Sequence, residues 1–153
     1  AFDTDLVSTY GYCSDISRSW IVGDLPPTSQ QKHLYQLAYE HVMANIDLLK
    51  PGMSFVEVTT KAHRLPAVFR PLRYGVLAHG IGLCDEYPSI RYPEDAEHHG
   101  YDGCLEVGMT LCVEAYVGEE GGHEGVKLEE QIVITATGAE SLSSYPYEAA
   151  LLN

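Results

Sequence analysis

The first 22 residues of the chain have the apolar and polar spacing of two short β-strands. Between the strands, Thr9, Tyr10 and Gly11 form a plausible three-residue loop that ends on a glycine. This pattern predicts a β-hairpin whose buried side chains are Phe2, Leu6, Tyr12, Ile16 and Trp20.

Two helices should follow the hairpin. Thr28 or Ser29 is expected to cap the first one, and Pro51-Gly52 should end it. The residues from Ser54 to Glu57 form a capping box that opens a second helix, which should end before Pro66. The buried face of the first helix should consist of residues at helical spacing, namely Leu34, Ala38, Val42, Ile46 and Leu49.

Three apolar segments later in the chain are expected to be strands: VLAHGIGL, MTLCVEAYV and VKLEEQIVITATG. The turn from Gly118 to Gly125 joins the last two. Residues 85–103 contain three tyrosines and two prolines, and we expect them to form a long irregular loop. Loops of that length more often have a function than not. The C-terminal tail has no clear assignment.

The composition is that of an ordinary soluble protein with one domain: 153 residues, 45% hydrophobic and 20% charged. A net charge of -13 argues against nucleic acid and anionic membranes as partners, and suits a cytoplasmic protein. No apolar stretch reaches the roughly 18 residues of a membrane-spanning helix. The four cysteines lack CxxC spacing and are expected to be buried free thiols.

The start of the chain suggests a fragment. No signal peptide is visible, the chain lacks an initiator methionine, and it begins inside a predicted strand. We therefore expect an N-terminal part to be absent.

Three aspartates lie in the predicted hairpin. If the loop runs from Thr9 to Gly11, Asp5 lies opposite Asp15 and Asp3 lies diagonally across on the same face. Three carboxylates at such distances repel one another and raise one another's pKa values, unless a divalent cation binds them. The alternative is a solvated face of an acidic protein.

Three more residues in apolar segments could join these aspartates. His79 lies in LAHGIG, where an imidazole is more often a hydrogen-bonded core residue than a ligand. Glu114 and Glu129 each interrupt an apolar strand, which is costly unless the carboxylate is paired or binds a metal. Lys127 could pair with either glutamate. Taken as one set, five carboxylates and one imidazole suit manganese, iron or cobalt better than a structural zinc.

The order of these residues, with GYCSDISRSW, KPGMS, HGIGL, LEVGMTLCVEAYV and GVKLEEQIVITATG around them, resembles the creatinase/methionine aminopeptidase family. The resemblance implies an α+β pita-bread fold, a curved antiparallel sheet with helices on its outer face. Residues 1–153 would be the metal-binding part of its catalytic domain. It also implies two metal ions, held by an aspartate of the first strand and by Asp15, His79, Glu114 and Glu129.

Two departures from the family pattern point to one of its branches. Family peptidases place a ligand aspartate where this chain has Thr4, flanked here by Asp3 and Asp5. They also have a second histidine where this chain has Glu86, preceded by Asp85. At both positions the chain resembles the dimethylsulfoniopropionate lyases of marine bacteria, a branch of this family.

That branch implies an iron-dependent homodimer that cleaves dimethylsulfoniopropionate to acrylate and dimethyl sulfide. Asp85 would be the general base, with Glu86 as the rival base. The resemblance implies that the metal ligands are Asp3, Asp5, Asp15, His79, Glu114 and Glu129.

The sulfonium group of such a substrate is a soft cation, which aromatic faces attract. Tyr74 is our first choice for a substrate-binding residue, followed by Tyr87, with Tyr92 and Tyr101 as further candidates. His123 in the GGHEG turn would lie near the metals or be an exposed turn residue. Two other functions stay open: an Xaa-Pro aminopeptidase or prolidase with two metal ions, and a non-catalytic binding module on the same fold.

Overall fold

The computed structural model describes residues 1–96 and 100–153 in full and residues 97–99 by their backbone alone. The chain begins with an interrupted hairpin, in which Ser8 N donates to Tyr12 O at 2.8 Å and Gly11 has a φ of 80°. The predicted loop is therefore confirmed. The hairpin consists of β1 (Phe2–Asp3), β2 (Leu6–Val7), β3 (Cys13–Ser14) and β4 (Ser17–Arg18), with β1 paired to β4 and β2 paired to β3, both antiparallel.

The prediction that the apolar side of the hairpin is buried is wrong. Phe2 is 58% exposed and Leu6 is 60% exposed, and Tyr12 and Trp20 are also exposed. The hairpin instead buries polar side chains such as that of Arg18. These side chains can be buried because they form hydrogen bonds with the sheet that the hairpin covers.

Helix α1 (Ser29–Leu48) begins at a capping box in which Thr28 Oγ1 accepts from Gln31 N and Gln31 Oε1 accepts from Thr28 N. Its buried face includes the predicted residues Leu34, Ala38, Val42 and Ile46. Helix α2 (Phe55–Lys61) is capped by Ser54, and a 3₁₀ helix (Ala67–Leu72) follows Pro66. Both predicted helices are confirmed.

A five-stranded antiparallel sheet forms the centre of the fold. Its strands are β5 (Val76–Ile81), β6 (Asp85–Arg91), β7 (Thr110–Gly118), β8 (Gly125–Ile134) and β9 (Ala139–Ser141), in the order β6-β5-β7-β8-β9. Two short helices complete the chain: α3 (Pro93–His99) and α4 (Ala149–Leu152).

Residues 85–103 do not form the predicted irregular loop. They contain β6 and α3, with Pro93 in the first turn of α3, a position that proline tolerates well. Pro88 lies in β6, which is an edge strand of the sheet and can therefore accept a residue that has no N–H group.

The two faces of the sheet differ in chemistry. On β7, Leu111, Val113 and Ala115 belong to the apolar core with α1, whereas the residues between them point to the opposite face. The hairpin lies on that opposite face and contacts β8 through β4. Among the described residues, no helix has both the length and the apolar character needed to cross a membrane.

Candidate metal centre

Four buried side chains meet where the hairpin covers the sheet. His79 is on β5, Glu114 and Glu129 are directly paired on β7 and β8, and Asp15 follows β3. His79 Nε2 lies 3.1 Å from Glu129 Oε1. Glu114 Oε1 lies 3.8 Å and Asp15 Oδ2 lies 3.9 Å from the same nitrogen. None of these side chains is more than 4% exposed.

Asp3 reaches this cluster from β1. Its Oδ1 accepts a hydrogen bond from Ser17 Oγ at 2.6 Å, and its Oδ2 contacts Lys127 Nζ. Lys127 Nζ also lies 3.3 Å from Glu114 Oε2 and 3.7 Å from Glu129 Oε2. Lys127 therefore pairs with both glutamates and with an aspartate, so one ammonium group is shared among three carboxylates.

The buried acids of the cluster have strongly shifted pKa values. Burial, followed by the charges of Glu129 and Asp3, raises the pKa of Asp15 to about 8. Burial, followed by the charge of Glu129, raises the pKa of Glu114 to about 8. Although burial alone lowers the pKa of His79, the hydrogen bond to Glu129 and the charge of Glu114 raise it to about 9. Asp15 and Glu114 therefore keep their protons at neutral pH, because the metal-free cluster lacks the positive charge needed to hold every carboxylate in its ionised form.

These residues fit a divalent metal ion. Asp15 Oδ1 and Glu114 Oε1 are buried and have no hydrogen-bond partner among the described residues, and Glu114 Oε2 has only its ion pair with Lys127. Such atoms are costly unless something else binds them. Carboxylate oxygens with one imidazole are a donor set that first-row divalent metals accept.

Asp5 lies between β1 and β2 with a φ of 24°, a value that is unusual for a residue other than glycine. Its carboxylate, together with those of Asp15 and Asp85, offers oxygens that all lie within 4.8 Å of one another. Asp85 Oδ1 also lies 3.6 Å from His79 Nδ1, and Asp85 is half-buried. Glu86, the rival base, is exposed and donates its N–H to Asp85 Oδ1 at 3.0 Å.

The candidate tyrosines lie in different surroundings. Tyr74 is 41% exposed, and Lys127 Nζ lies 4.9 Å from the centre of its ring. Tyr87 is 65% exposed and stacks on Tyr101 at 5.7 Å between ring centres. Tyr92 is buried in the core. Tyr74 is therefore the tyrosine that borders a residue of the acidic cluster.

His123 lies in the turn between β7 and β8 and is exposed. Glu124, its neighbour, accepts a hydrogen bond from Gln31 Nε2 at 3.0 Å. Among the described residues, no hydrogen bond or ion pair joins His123 to the acidic cluster.

Sequence reasoning missed three residues of this site. Cys112 offers its Sγ to the same group of donors and donates to Asp15 O at 3.3 Å. Gln131 Oε1 accepts from Asp15 N at 3.3 Å, and Ser17 binds carboxylates of the cluster. Strand alternation was the available signal, since Cys112 comes two residues before Glu114 and Ser17 two after Asp15.

Residues 2–136 match the model of metallopeptidase family M24. Among curated proteins, the chain is 51% identical over 152 residues to the dimethylsulfoniopropionate lyase DddP of Roseovarius nubinhibens, covering 99% of this chain and 34% of that protein. It is 31% identical over 146 residues to the Xaa-Pro dipeptidase of Pyrococcus furiosus, covering 91% of this chain and 38% of that protein. The chain thus spans about a third of the length of these relatives.

The solved structures that the chain resembles include peptidases. The chain is similar to dipeptidase PepE from Mycobacterium ulcerans, with a TM-score of 0.75 and 27% identity over 95% of this chain and 38% of that one. It is also similar to the prolidase from Pyrococcus furiosus, with a TM-score of 0.67 and 28% identity over 88% of this chain and 38% of that one. The expected pita-bread fold is confirmed, and the chain belongs to metallopeptidase family M24.

Proposed function

We propose that this chain carries the metal-binding part of the active site of a dimethylsulfoniopropionate lyase. The observation that carries the proposal is the 51% identity to such a lyase over 99% of the chain. The identity to an Xaa-Pro dipeptidase is 31% over a similar length. Because the chain spans about a third of that lyase, the activity belongs to the full-length protein.

Six residues would hold the metal: Asp3, Asp5, Asp15, His79, Glu114 and Glu129. Support comes from the buried oxygens Asp15 Oδ1 and Glu114 Oε1, which have no hydrogen-bond partner among the described residues. We propose two divalent ions and iron as the metal, since this oxygen-rich donor set suits iron. Bound metal would attract the substrate carboxylate and stabilise the negative charge that develops next to it during deprotonation.

Asp85 is proposed as the general base of a β-elimination. It would take the proton from the carbon next to the substrate carboxylate, and the C–H electron pair would become the new C=C bond. The bond from the β-carbon to sulfur breaks, and dimethyl sulfide leaves with that electron pair, so acrylate remains and the proton rests on Asp85. Support for Asp85 over Glu86 comes from its closeness to His79 Nδ1.

This reaction explains why the chain can lack the second histidine of the family peptidases. An elimination needs no attacking water and forms no tetrahedral intermediate, so a side chain that binds such an intermediate has no role. Glu86 occupies that position and is exposed.

Tyr74 is proposed to bind the sulfonium group, supported by its place beside Lys127 and its partial exposure. The Lys127 ammonium already lies 4.9 Å from the centre of this ring. Tyr74 would therefore meet the substrate with its other face or with its hydroxyl group. Tyr87 and His123 stay as further candidates for substrate contact, to be compared by substitution.

The test is dimethyl sulfide release from dimethylsulfoniopropionate by the full-length protein loaded with Fe²⁺, measured by gas chromatography. The second candidate function, hydrolysis of Xaa-Pro dipeptides, is favoured by the similarity to Xaa-Pro dipeptidases and is assayed on the same preparation. Folded, metal-loaded protein that releases no dimethyl sulfide would refute the lyase proposal. If properly folded protein also binds less than one metal ion per chain, the binding-module hypothesis gains support.

Two further proposals, a homodimer and a cytoplasmic location, rest on the family resemblance and on the composition. Sedimentation equilibrium of the full-length protein tests the first, and fractionation of the source cells tests the second.

A further inference from the structure

Ser17 occupies a special position between the hairpin and the sheet. It lies in β4, directly opposite Asp3 in β1, and it is 0% exposed. Its Oγ lies 2.6 Å from Asp3 Oδ1 and 2.8 Å from Glu129 Oε2. One hydroxyl group therefore touches two carboxylates that belong to different parts of the fold.

The other oxygen of each carboxylate is also held. Asp3 Oδ2 contacts Lys127 Nζ, and Glu129 Oε1 lies 3.1 Å from His79 Nε2. Each carboxylate thus has a polar neighbour at both oxygens, and Ser17 Oγ is the neighbour that the two carboxylates share. Such contacts fix the rotation of a carboxylate about its last carbon–carbon bond, and with it the direction of its free lone pairs.

A hydroxyl group carries one hydrogen, so Ser17 can donate to only one of its two neighbours at a time. The second carboxylate oxygen is then held near Ser17 Oγ by its other contacts. This arrangement links the hairpin to β8 at the point where both elements contribute acids to the cluster.

We propose that Ser17 is a positioning residue of the metal centre. Its hydroxyl group orients Asp3 and Glu129 so that both carboxylates meet a divalent cation together. The inference rests on the proposed metal-binding function, but it does not depend on which reaction the full-length protein catalyses.

The competing explanation is that Ser17 only fills space in the core. A small buried residue with a satisfied hydroxyl group is common, and removing it would then affect stability without affecting the metal. The two explanations differ in metal affinity, because hydrogen-bond partners of metal ligands typically change affinity by about 10-fold to 100-fold when they are removed.

The experiment compares four variants of the full-length protein by calorimetric titration with Co²⁺ alone. Ser17→Val and Ser17→Thr have nearly the same shape and differ in the hydroxyl group. Ser17→Ala removes the hydroxyl without adding volume. Ser14→Ala is the matched control, because Ser14 is an exposed serine of the same hairpin.

We expect Ser17→Ala and Ser17→Val to bind Co²⁺ about 10-fold or more weakly and to change its visible absorption spectrum. Ser17→Thr should bind nearly as tightly as the wild-type protein, and Ser14→Ala should be unchanged. Circular dichroism and urea titration without metal report on folding in each case.

Three results would overturn the proposal. The first is wild-type affinity for Co²⁺ in folded Ser17→Ala or Ser17→Val, and the second is binding of Co²⁺ by Ser17→Thr as weak as by Ser17→Val. The third is unfolding of both hydroxyl-free variants, which would make Ser17 a structural residue. Wild-type protein that binds Co²⁺ but releases no dimethyl sulfide leaves the Ser17 inference intact while the lyase proposal fails. Wild-type protein that binds no Co²⁺ would refute both the Ser17 inference and the lyase proposal.

Discussion

His79 Nδ1 lies 3.6 Å from Asp85 Oδ1, and the same imidazole ring directs its Nε2 at Glu129 Oε1, 3.1 Å away. Nδ1 also lies 3.2 Å from Gly80 O, which can only accept a hydrogen bond. Nδ1 must therefore carry a hydrogen to make that bond, so in the neutral ring the lone pair is on Nε2 and faces the carboxylates. One side chain thus separates the candidate base from the candidate metal ligands.

Asp85→Asn should abolish dimethyl sulfide release by the full-length protein while the metal content stays near that of the wild type. A general base typically contributes 10²-fold to 10⁴-fold to the rate, so we expect a loss on that order. Gas chromatography of the product and elemental analysis of the metal measure the two effects on one preparation.

Glu86→Gln is the matched control for this change, since it neutralises the adjacent exposed acid. It should keep most of the activity. If Asp85→Asn loses metal together with activity, Asp85 is a ligand or a structural residue. If only Glu86→Gln loses activity, Glu86 is the general base and Asp85 is not.

Asp3→Asn should weaken metal binding. The substitution keeps the shape of the side chain but removes the negative charge that faces Lys127 and, through Ser17, Glu129. Burial alone raises the pKa of Asp3, but the hydrogen bonds from Lys127 and Ser17 lower it below its usual value, so this acid is charged at neutral pH. Calorimetric titration with Fe²⁺ or Co²⁺ should show a lower affinity or fewer ions per chain. Unchanged affinity and stoichiometry would exclude Asp3 as a ligand.

The metal-free protein should become less stable as the pH rises from about 6.5 to 8. The pKa values of Asp15 and Glu114 are each raised to about 8 by burial, so in this range the folded state holds protons that the unfolded state has lost. His79 acts in the same direction, because its raised pKa of about 9 keeps it protonated in the folded state.

Saturating divalent metal should remove or reverse this trend, because a cation favours the deprotonated acids and the neutral imidazole. Urea titrations at several pH values, with chelator and with Co²⁺, measure both effects. A metal-free protein whose stability is constant or rises from pH 6.5 to 8 would contradict the prediction.

A second pH effect should appear on the acid side, from a buried histidine of α1. His41 is 0% exposed, with Nδ1 3.0 Å from His63 Nδ1 and Nε2 2.5 Å from Tyr92 OH. Burial, followed by the positive charges of His63 and Arg73, lowers the pKa of His41 to about 3. The unfolded chain gains a proton on this residue below about pH 6.5, whereas the folded chain does not, so stability falls as the pH falls.

The expected slope from His41 is about 1.4 kcal/mol per pH unit between pH 6 and pH 4. Replacing His41 with Gln should remove this part of the slope, although the variant will be less stable at neutral pH. His33→Gln is the control, because His33 is exposed on the same helix. Equal slopes for wild type and His41→Gln would show that His41 is not buried in the neutral form.

Local patterns were enough to predict the parts of the site that lie within single elements. The Thr9–Gly11 loop determines the hairpin register, so the place of Asp5 opposite Asp15, with Asp3 diagonally across, followed from counting residues. Glu114 and Glu129 were singled out because each interrupts an apolar strand, and the structure pairs them directly on β7 and β8.

Contacts between distant segments account for what the sequence did not predict. Phe2 and Leu6 looked like core residues, but the polar face of the hairpin is buried because Arg18 and Ser19 bind the backbone of β8, more than 100 positions away. Likewise, Pro88 looked like a loop residue because the order of the strands, which makes β6 an edge, is not readable from that segment.

The four thiols should react with iodoacetamide at very different rates, contrary to the sequence expectation that all of them are buried. Cys84 and Cys104 are exposed, Cys13 is half-buried and Cys112 is buried. Burial, followed by the charge of Glu129, raises the pKa of Cys112, so little reactive thiolate forms there. Mass spectrometry of the folded protein should find label on Cys84 and Cys104 first and on Cys112 only after urea is added. Early label on Cys112 at neutral pH would mean that the hairpin opens from the sheet, because Cys112 is covered by Asp15, whose carbonyl oxygen accepts its S–H group.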